Sequence, residues 1–256
     1  EVGIKLILLV LLIHAQSSSA YICFSPILPV IRRTVSVISP SRRSISSALT
    51  IARMSGGNQP STDAFDTEAY EKARLEQDNA AREAMMVKLE QAEGEFGAGL
   101  KNPWKWRIRK RIWDLMESED IARMPRPVHH RIPNFDGADA AAAKLCALPE
   151  FAAGKVIKVN PDTPQKQVRY GVLAAGKTLM TPQPRLRTGF FSTLSRDSIP
   201  AAAMREACTS AGVAKYGAPL TLHDPIRVDL VVVGSTAVCP RTGARIGKGE
   251  GFAELE

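Results

Sequence analysis

The chain is predicted to fold as an α/β sandwich, and three observations carry that expectation. Residues 228–233, Val-Asp-Leu-Val-Val-Val, form a near-continuous apolar run of the kind that lies buried in a parallel sheet. From residue 138 onward, helical and strand-like patterns alternate, as α/β layers require. Behind the apolar run comes a glycine-rich segment, residues 245–254, Arg-Ile-Gly-Lys-Gly-Glu-Gly-Phe-Ala-Glu. Such sheets meet their ligands beyond the carboxyl ends of strands, which is where this segment leads.

The 256 residues divide into three parts: 1–62, 63–99 and 100–256. Residues 2–62 hold no Asp or Glu but six basic side chains: Lys5, Arg32, Arg33, Arg42, Arg43 and Arg53. The extension therefore supplies most of the formal net charge of +8. The remainder is nearly balanced, so the basic character is no argument for nucleic-acid binding by the folded part. Lys5 precedes an apolar run over residues 6–13, and Ser18 and Ala20 suit cleavage before Tyr21. That run is too short to span a bilayer and reads as a signal peptide. Residues 32–53, rich in Ser and Arg, read as an organellar transit peptide. Together they predict a plastid destination, with a cytoplasmic protein starting at Met54 as the alternative. On either reading residues 1–62 are expected to be disordered and to stay off the core, and no membrane attachment is expected once a presequence is removed. Cys23, Cys146, Cys208 and Cys239 are scattered without a CxxC pair, which argues against a zinc site or a disulfide framework.

Residues 63–95 are dense in Ala, Glu, Lys and Arg and lack Pro, predicting a long charged helix. Its apolar stripe (Tyr70, Ala73, Ala81, Met85, Leu89) is thin, so loose docking is expected. A second helix is predicted to start at Asn102-Pro103, an N-cap and first-turn pair. Trp104, Ile108, Ile112 and Leu115 are its expected buried stripe, with Lys105 and Arg109 one turn apart on an adjoining face. Beyond Pro125 and Pro127, residues 138–148 are predicted helical and 155–159 a strand. Residues 168–174 and 177–180 flank an Ala-Gly turn and are expected to pair as a hairpin. Residues 199–211 are predicted to be one helix.

The chemistry gathers in the glycine segment. Gly247, Gly249 and Gly251 let the backbone approach an anion and turn its N–H groups toward it. Arg245 and Lys248 add positive charge, and Glu250 and Glu254 are positioned to hold a divalent cation. The segment lacks the Gly-Lys-Ser/Thr of a Walker A loop. Arg185 and Arg187 share one face if their segment is extended, and suit either an oxyanion or surface ion pairs. His129 and His130 point to opposite faces of an extended strand and have no third ligand nearby, so they are read as a structural or substrate-contacting loop.

The glycine segment resembles the Arg-Leu-Gly-x-Gly-x-Gly-Tyr-Tyr-Asp signature of the 5-formyltetrahydrofolate cyclo-ligase (methenyltetrahydrofolate synthetase) family. Lys105-Trp-Arg-Ile-Arg109 has the form of that family's Lys-x-x-x-Arg pair, and residues 229–233 match its Asp-Leu-apolar strand. Residues 125–134, 182–191 and 247–251 look like hallmarks of a divergent branch, the methenyltetrahydrofolate synthase domain-containing proteins. The resemblance covers about residues 100–256. It implies a three-layer sandwich with a mostly parallel sheet, of the NagB/RpiA/CoA-transferase-like kind, and a chain that stops short of the family's last strands and helices.

It also implies ATP and Mg2+ as partners and a reduced folate or related pterin as the small-molecule substrate. Lys105, Arg109 and residues 247–251 would hold the triphosphate, with Arg245 as the catalytic cation, Arg185 and Arg187 toward the substrate, and Glu254 at the magnesium-binding position. In the family reaction the formyl oxygen is phosphorylated, N10 attacks the activated carbon and phosphate leaves. The substrate brings its own nucleophile, so the protein mainly positions groups and stabilises charge. Two family tyrosines are replaced by Phe252 and Ala253, and the family Asp by Glu254. Three functions follow: an active cyclo-ligase, a nucleotide- or pterin-binding relative without turnover, and an RNA-binding protein. The last is weakest, for want of an RNP-type motif. Oligomeric state is left open.

Overall fold

The computed structural model describes residues 65–93, 102–182, 190–221 and 223–251, together with the backbone of residues 5–8. In chain order its elements are β1 (Lys5–Leu8), α1 (Thr67–Glu93), α2 (Pro103–Ser118), α3 (Ala138–Cys146), α4 (Pro149–Ala153) and β2 (Val156–Val159). There follow α5 (Lys166–Ala174), β3 (Thr178–Pro182), β4 (Phe191–Leu194), α6 (Met204–Ala207), α7 (Ser210–Tyr216) and β5 (Ala218–Leu220). The described part closes with β6 (Leu230–Val233), β7 (Ala237–Val238) and β8 (Arg245–Ile246).

The sheet runs β1-β6-β2-β3-β4-β5. The pairs β1/β6, β6/β2 and β2/β3 are parallel, and β3/β4 and β4/β5 antiparallel. The expected α/β class with a mostly parallel sheet is therefore the observed one. Ile157 and Val159 of β2, Leu179 of β3, Leu194 of β4, and Leu230 and Val232 of β6 are sealed in the core. Their period of two is the pleat of a strand, and on β2 and β3 the alternate residues Lys158 and Met180 are buried as well, as in a sheet covered on both faces. Helix α5 packs on β2 and β3, and α3 packs on α5. Gly171 permits that second contact, because a Cβ there would stand 2.6 Å from the Cys146 Sγ. Asp229 pins the start of β2 to β6: its Oδ2 accepts from the N–H groups of Lys155 at 2.8 Å and Val156 at 3.0 Å. These backbone bonds, Val156 first and then Lys155, hold its carboxyl below the ordinary range.

Several expectations need correction. Residues 166–174 form a helix, not a hairpin arm, because Val168, Val172 and Leu173 fall on one helical face and are buried together. Gly176, with φ of 68°, then turns the chain into β3. Residues 199–211 do not make one helix, since Thr209 interrupts them; its Oγ1 accepts from the Gly212 N–H at 3.0 Å and starts α7. Residues 5–8, expected to stay off the core, form the edge strand β1 against β6, with Lys5 opposite Leu230 and Leu8 opposite Val233. An apolar strand satisfies the N–H and C=O groups that the edge of β6 would otherwise leave unpaired. Those that concern α2 are taken up below.

Helix α1 is capped by Asp66, whose Oδ1 accepts from the Ala69 N–H at 2.9 Å. It is docked rather than loose. Met85 is buried, Asp78 pairs with Arg131 at 2.6 Å, and the Tyr70 hydroxyl donates to the Ser210 carbonyl. Among the described residues no helix is long and apolar enough to cross a membrane.

Candidate nucleotide site at the glycine loop

Helix α2 presents one wall of the site. Asn102 precedes it in the left-handed region, φ 62°, and makes no side-chain cap, contrary to the capping role expected of it. Its buried residues are Trp106, Arg109, Trp113 and Met116, spaced three, four and three. The stripe predicted from Trp104 and Ile108 is wrong: both are exposed, Trp104 to 52%. Each set fits a helical period, and the partners that receive Trp106, Arg109 and Trp113 decide which turns inward. The buried face also carries a cation. Arg109 is only 7% exposed, its guanidinium carbon lying 4.4 Å from the Trp106 ring centroid. Stacking on an indole and bonding to the backbone compensate that burial.

The opposite wall is built after β6. The chain leaves Val233 through Gly234, Ser235 and Thr236 and folds into the β7/β8 hairpin, where Ala237 faces Ile246 and Val238 faces Arg245. The Thr236 N–H donates to the Ile246 carbonyl at 2.8 Å and closes the hairpin base. Arg245 reaches back across that base, donating through Nη2 to the Gly234 carbonyl at 2.8 Å and through Nε to the Ser235 Oγ at 3.2 Å. The glycine loop runs directly on from β8.

Arg109 joins the two walls: its Nε donates to the Gly247 carbonyl at 2.7 Å. Gly249 has φ of 104°, and a Cβ there would stand 2.8 Å from the Trp106 Cη2 and 3.2 Å from the Arg109 Cζ. Glycine is thus required twice at this position, by the backbone angle and by contact with α2. Gly251, φ 82°, faces open space, so only its backbone angle demands glycine. Lys248 and Glu250 pair with each other at 2.6 Å.

The structure therefore brings Arg109, Arg245, Gly247, Lys248, Gly249, Glu250 and Gly251 into one assembly. Lys105 stands apart from these contacts, with its ammonium 5.6 Å from the Trp104 ring centroid. Arg185, Arg187, Phe252, Ala253 and Glu254 lie outside the described residues. A positive-φ glycine loop backed by buried and half-buried cations fits the phosphates of a nucleotide. For magnesium the fit is poorer among the described residues, because the Glu250 carboxylate is already occupied by Lys248.

A second polar layer, which sequence reasoning missed, supports the exit of β6. Gly234 is enclosed: a Cβ would stand 2.6 Å from the Ile132 Cγ2, 3.1 Å from the Gln165 side-chain amide and 3.3 Å from the Asp162 Oδ2. With its amide oxygen turned to Gly234, the fully buried Gln165 accepts from the Gly234 N–H and donates to the Asn160 carbonyl. Lys158 donates to the Asn160 Oδ1 at 2.8 Å. Arg169, 2% exposed, donates to the carbonyls of Asn160, Asp162 and Cys208, and burial brings its pKa down to about 10. The signal that could have found this layer is Asn160-Pro-Asp-Thr-Pro-Gln165, a polar, proline-punctuated run placed directly behind a buried strand.

The loop preceding α3 packs against the same buried face of α2, one turn beyond Arg109. The Trp113 Nε1 donates to the Arg131 carbonyl at 3.1 Å, and its ring lies 5.3 Å from that of His130. His129 instead pairs with Asp114 at 2.8 Å. His130, 6% exposed and with φ of 65°, is lowered to about 4. Desolvation is the largest cause, followed by the charges of His129, Arg82 and Arg131.

Comparison with known proteins agrees with this architecture. The 5-formyltetrahydrofolate cyclo-ligase family description matches residues 101–256. The chain is 54% identical over 155 residues to a methenyltetrahydrofolate synthase domain-containing protein of Mus musculus, covering 59% of this chain and 41% of that protein. Proteins of the same description from Homo sapiens and Danio rerio are 49% identical over 155 residues and 45% over 153, each with 59% of this chain and 40% of the relative covered. The chain thus spans about two-fifths of the length of these relatives. The match spans α2, the sheet strands from β2 onward and the glycine loop, and on it the chain belongs to the 5-formyltetrahydrofolate cyclo-ligase family.

Proposed function

We propose that the protein acts in folate metabolism by binding ATP at the glycine loop and activating a reduced folate, converting 5-formyltetrahydrofolate to 5,10-methenyltetrahydrofolate. The observation that carries this reading is the Arg109 bridge to Gly247, which locks a buried cation under a loop in which Gly249 and Gly251 adopt positive φ. In this reading the loop amides, Arg109, Lys105 and Lys248 hold the phosphates, and Arg245 keeps the hairpin in place while charge moves onto the phosphoryl oxygens. Magnesium would neutralise phosphate charge from the Glu254 side. The folate supplies N10 as nucleophile, so these side chains orient the reactants and stabilise charge.

A second reading, nucleotide or pterin binding without turnover, is favoured by one sequence observation. Phe252 and Ala253 remove two family hydroxyls, and Glu254 moves a carboxylate by about 1.5 Å. A misplacement of roughly 1 Å at the reacting atoms can cost a hundredfold. Calorimetric titration with MgATP, paired with the near-ultraviolet absorbance of methenyltetrahydrofolate, separates the two. Binding with turnover on the order of 1 per second supports the enzyme. Binding without turnover, restored by Phe252→Tyr, Ala253→Tyr and Glu254→Asp together, supports the second reading. Absence of MgATP binding overturns the first reading, and absence of reduced-pterin binding as well overturns the second.

A further inference from the structure

Among the described residues, three buried side-chain nitrogens close to one another lack a hydrogen-bond partner: Arg82 Nε on α1, and His130 Nδ1 and Arg131 Nε on the loop before α3. Buried polar atoms in native folds are almost always satisfied, so three orphans on adjoining elements mark a place built for a missing partner. All three nitrogens belong to side chains that can donate, and two of those side chains are permanently cationic. Asp78, one turn before Arg82 on α1, neutralises Arg131 through its Nη2 at 2.6 Å. That leaves the charge of Arg82 beside an imidazole that is neutral near pH 7. His130 is held there at a left-handed backbone angle that non-glycine residues rarely adopt, which a surrounding structure sustains mainly at binding and catalytic positions.

We propose that Arg82, His130 and Arg131 form an oxyanion pocket that receives a phosphoryl or carboxylate group of a small ligand. The pocket is separate from the glycine loop. The loop is met by Trp106 and Arg109, whereas this cluster adjoins Trp113, one turn further along α2. The inference therefore stands whether or not the glycine loop binds ATP. An oxyanion here gives each orphan nitrogen an acceptor, with His130 in the tautomer protonated at Nδ1, and relieves repulsion between two guanidinium groups. Bound anion also favours the imidazolium, so ligand and proton are taken up together. The other charged groups around the pocket are Asp78 on α1, Asp114 and Glu117 on α2, and His129 and Arg126 on the loop. Asp114 is bonded by Lys110 and His129, and Glu117 by Arg126 and the Val128 N–H, so these carboxylates already have partners of their own.

The test uses the full chain at constant ionic strength, titrated separately with inorganic phosphate and with glutarate, with chloride as the control. The His130 imidazole is followed by nitrogen-proton NMR. The expected result is a saturable shift of His130 and a rise in its pKa, stronger with phosphate for a phosphoryl pocket and with glutarate for a carboxylate one. Arg82→Gln should weaken binding by about tenfold or more, the loss expected for a charge-assisted bond, and Arg109→Gln should leave it unchanged. If Arg82→Gln does not fold, Arg82→Lys keeps the charge without the Nε donor and should still weaken binding several-fold. A His130 signal indifferent to both anions means that water fills the pocket and overturns the proposal. So does binding that is lost in Arg109→Gln but kept in Arg82→Gln, because the anion would then sit at the glycine loop.

Discussion

The Arg109 guanidinium is stacked over the Trp106 indole and tied by its Nε to the Gly247 carbonyl, so one buried side chain on α2 fixes the start of the glycine loop. Replacing Arg109 with Ala should therefore loosen the loop and cost stability together. The lost charge-assisted bond is worth about 1.5–3 kcal/mol. The expected outcome is a lower thermal midpoint and MgATP affinity reduced by at least about tenfold in calorimetry. Arg109→Lys keeps a charge but loses the planar stack, and should recover only part of both.

Gly249 and Gly251 should respond very differently to a methyl group. At Gly249 a Cβ collides with the Trp106 ring as well as meeting an unfavourable φ, whereas at Gly251 the space is open. Gly251→Ala is expected to cost about 1–2 kcal/mol from the backbone alone. Gly249→Ala should cost clearly more, read as a larger drop in the urea midpoint. Equal losses at the two positions would place the loop elsewhere than against α2.

His130 makes stability depend on pH. Its folded pKa, about 4, lies below the ordinary 6.5, so the unfolded chain binds the proton more readily. The contribution is complete above about pH 6.5 and is lost as pH falls toward 4. Its size is on the order of 2–3 kcal/mol for a side chain this buried. Urea unfolding between those pH values should show the decline, and His130→Gln should flatten that part of the curve. A saturating oxyanion, if it raises the His130 pKa, should flatten it as well.

Arg169 is expected to be the least replaceable residue of the layer behind the site. It serves the carbonyls of Asn160, Asp162 and Cys208 from inside the fold. Arg169→Met leaves those acceptors without a donor and should cost about 3 kcal/mol or more. Differential scanning calorimetry of the variant checks this, and an unchanged midpoint would refute the assignment.

Residues 1–62 carry the proposed targeting information. Fused before a fluorescent protein they should direct it to a plastid, and removal of residues 6–13 should leave it in the cytosol. The β1/β6 pairing supplies the opposing measurement. A reporter that stays cytosolic, together with a thermal midpoint that falls when residues 1–20 are trimmed, assigns the segment to the mature sheet instead.

Much of the site was legible in the sequence because its parts are local. Alternate glycines with flanking cations after an apolar strand are visible without knowing what they touch. The buried face of α2 was not, since Trp104-Ile108 and Trp106-Trp113 both satisfy a helical period and only the packed neighbours choose between them. An arginine on the chosen face made the choice harder still, because Arg109 is buried only through its indole and carbonyl partners. Residues 166–174 misled for a related reason: a short run containing Val, Tyr and Leu fits a strand as readily as a helix. Arg169 carried no local mark, and neither the polar run ending at Gln165 nor the His129-His130 pair disclosed what it would touch. Their partners lie across the sheet or on another helix, and only the tertiary structure brings them together.

Trp106 gives the protein an optical reporter of its own. Its indole is pressed between a guanidinium and the Gly249 backbone, so any displacement of the loop alters both the polarity around the ring and the quenching by its neighbours. Trp104 is half exposed and Trp113 is fully buried, so the contact with Gly249 distinguishes Trp106. A change in intrinsic emission on ligand addition, abolished by Trp106→Phe, would let loop movement be timed directly in a stopped-flow instrument without attaching a dye.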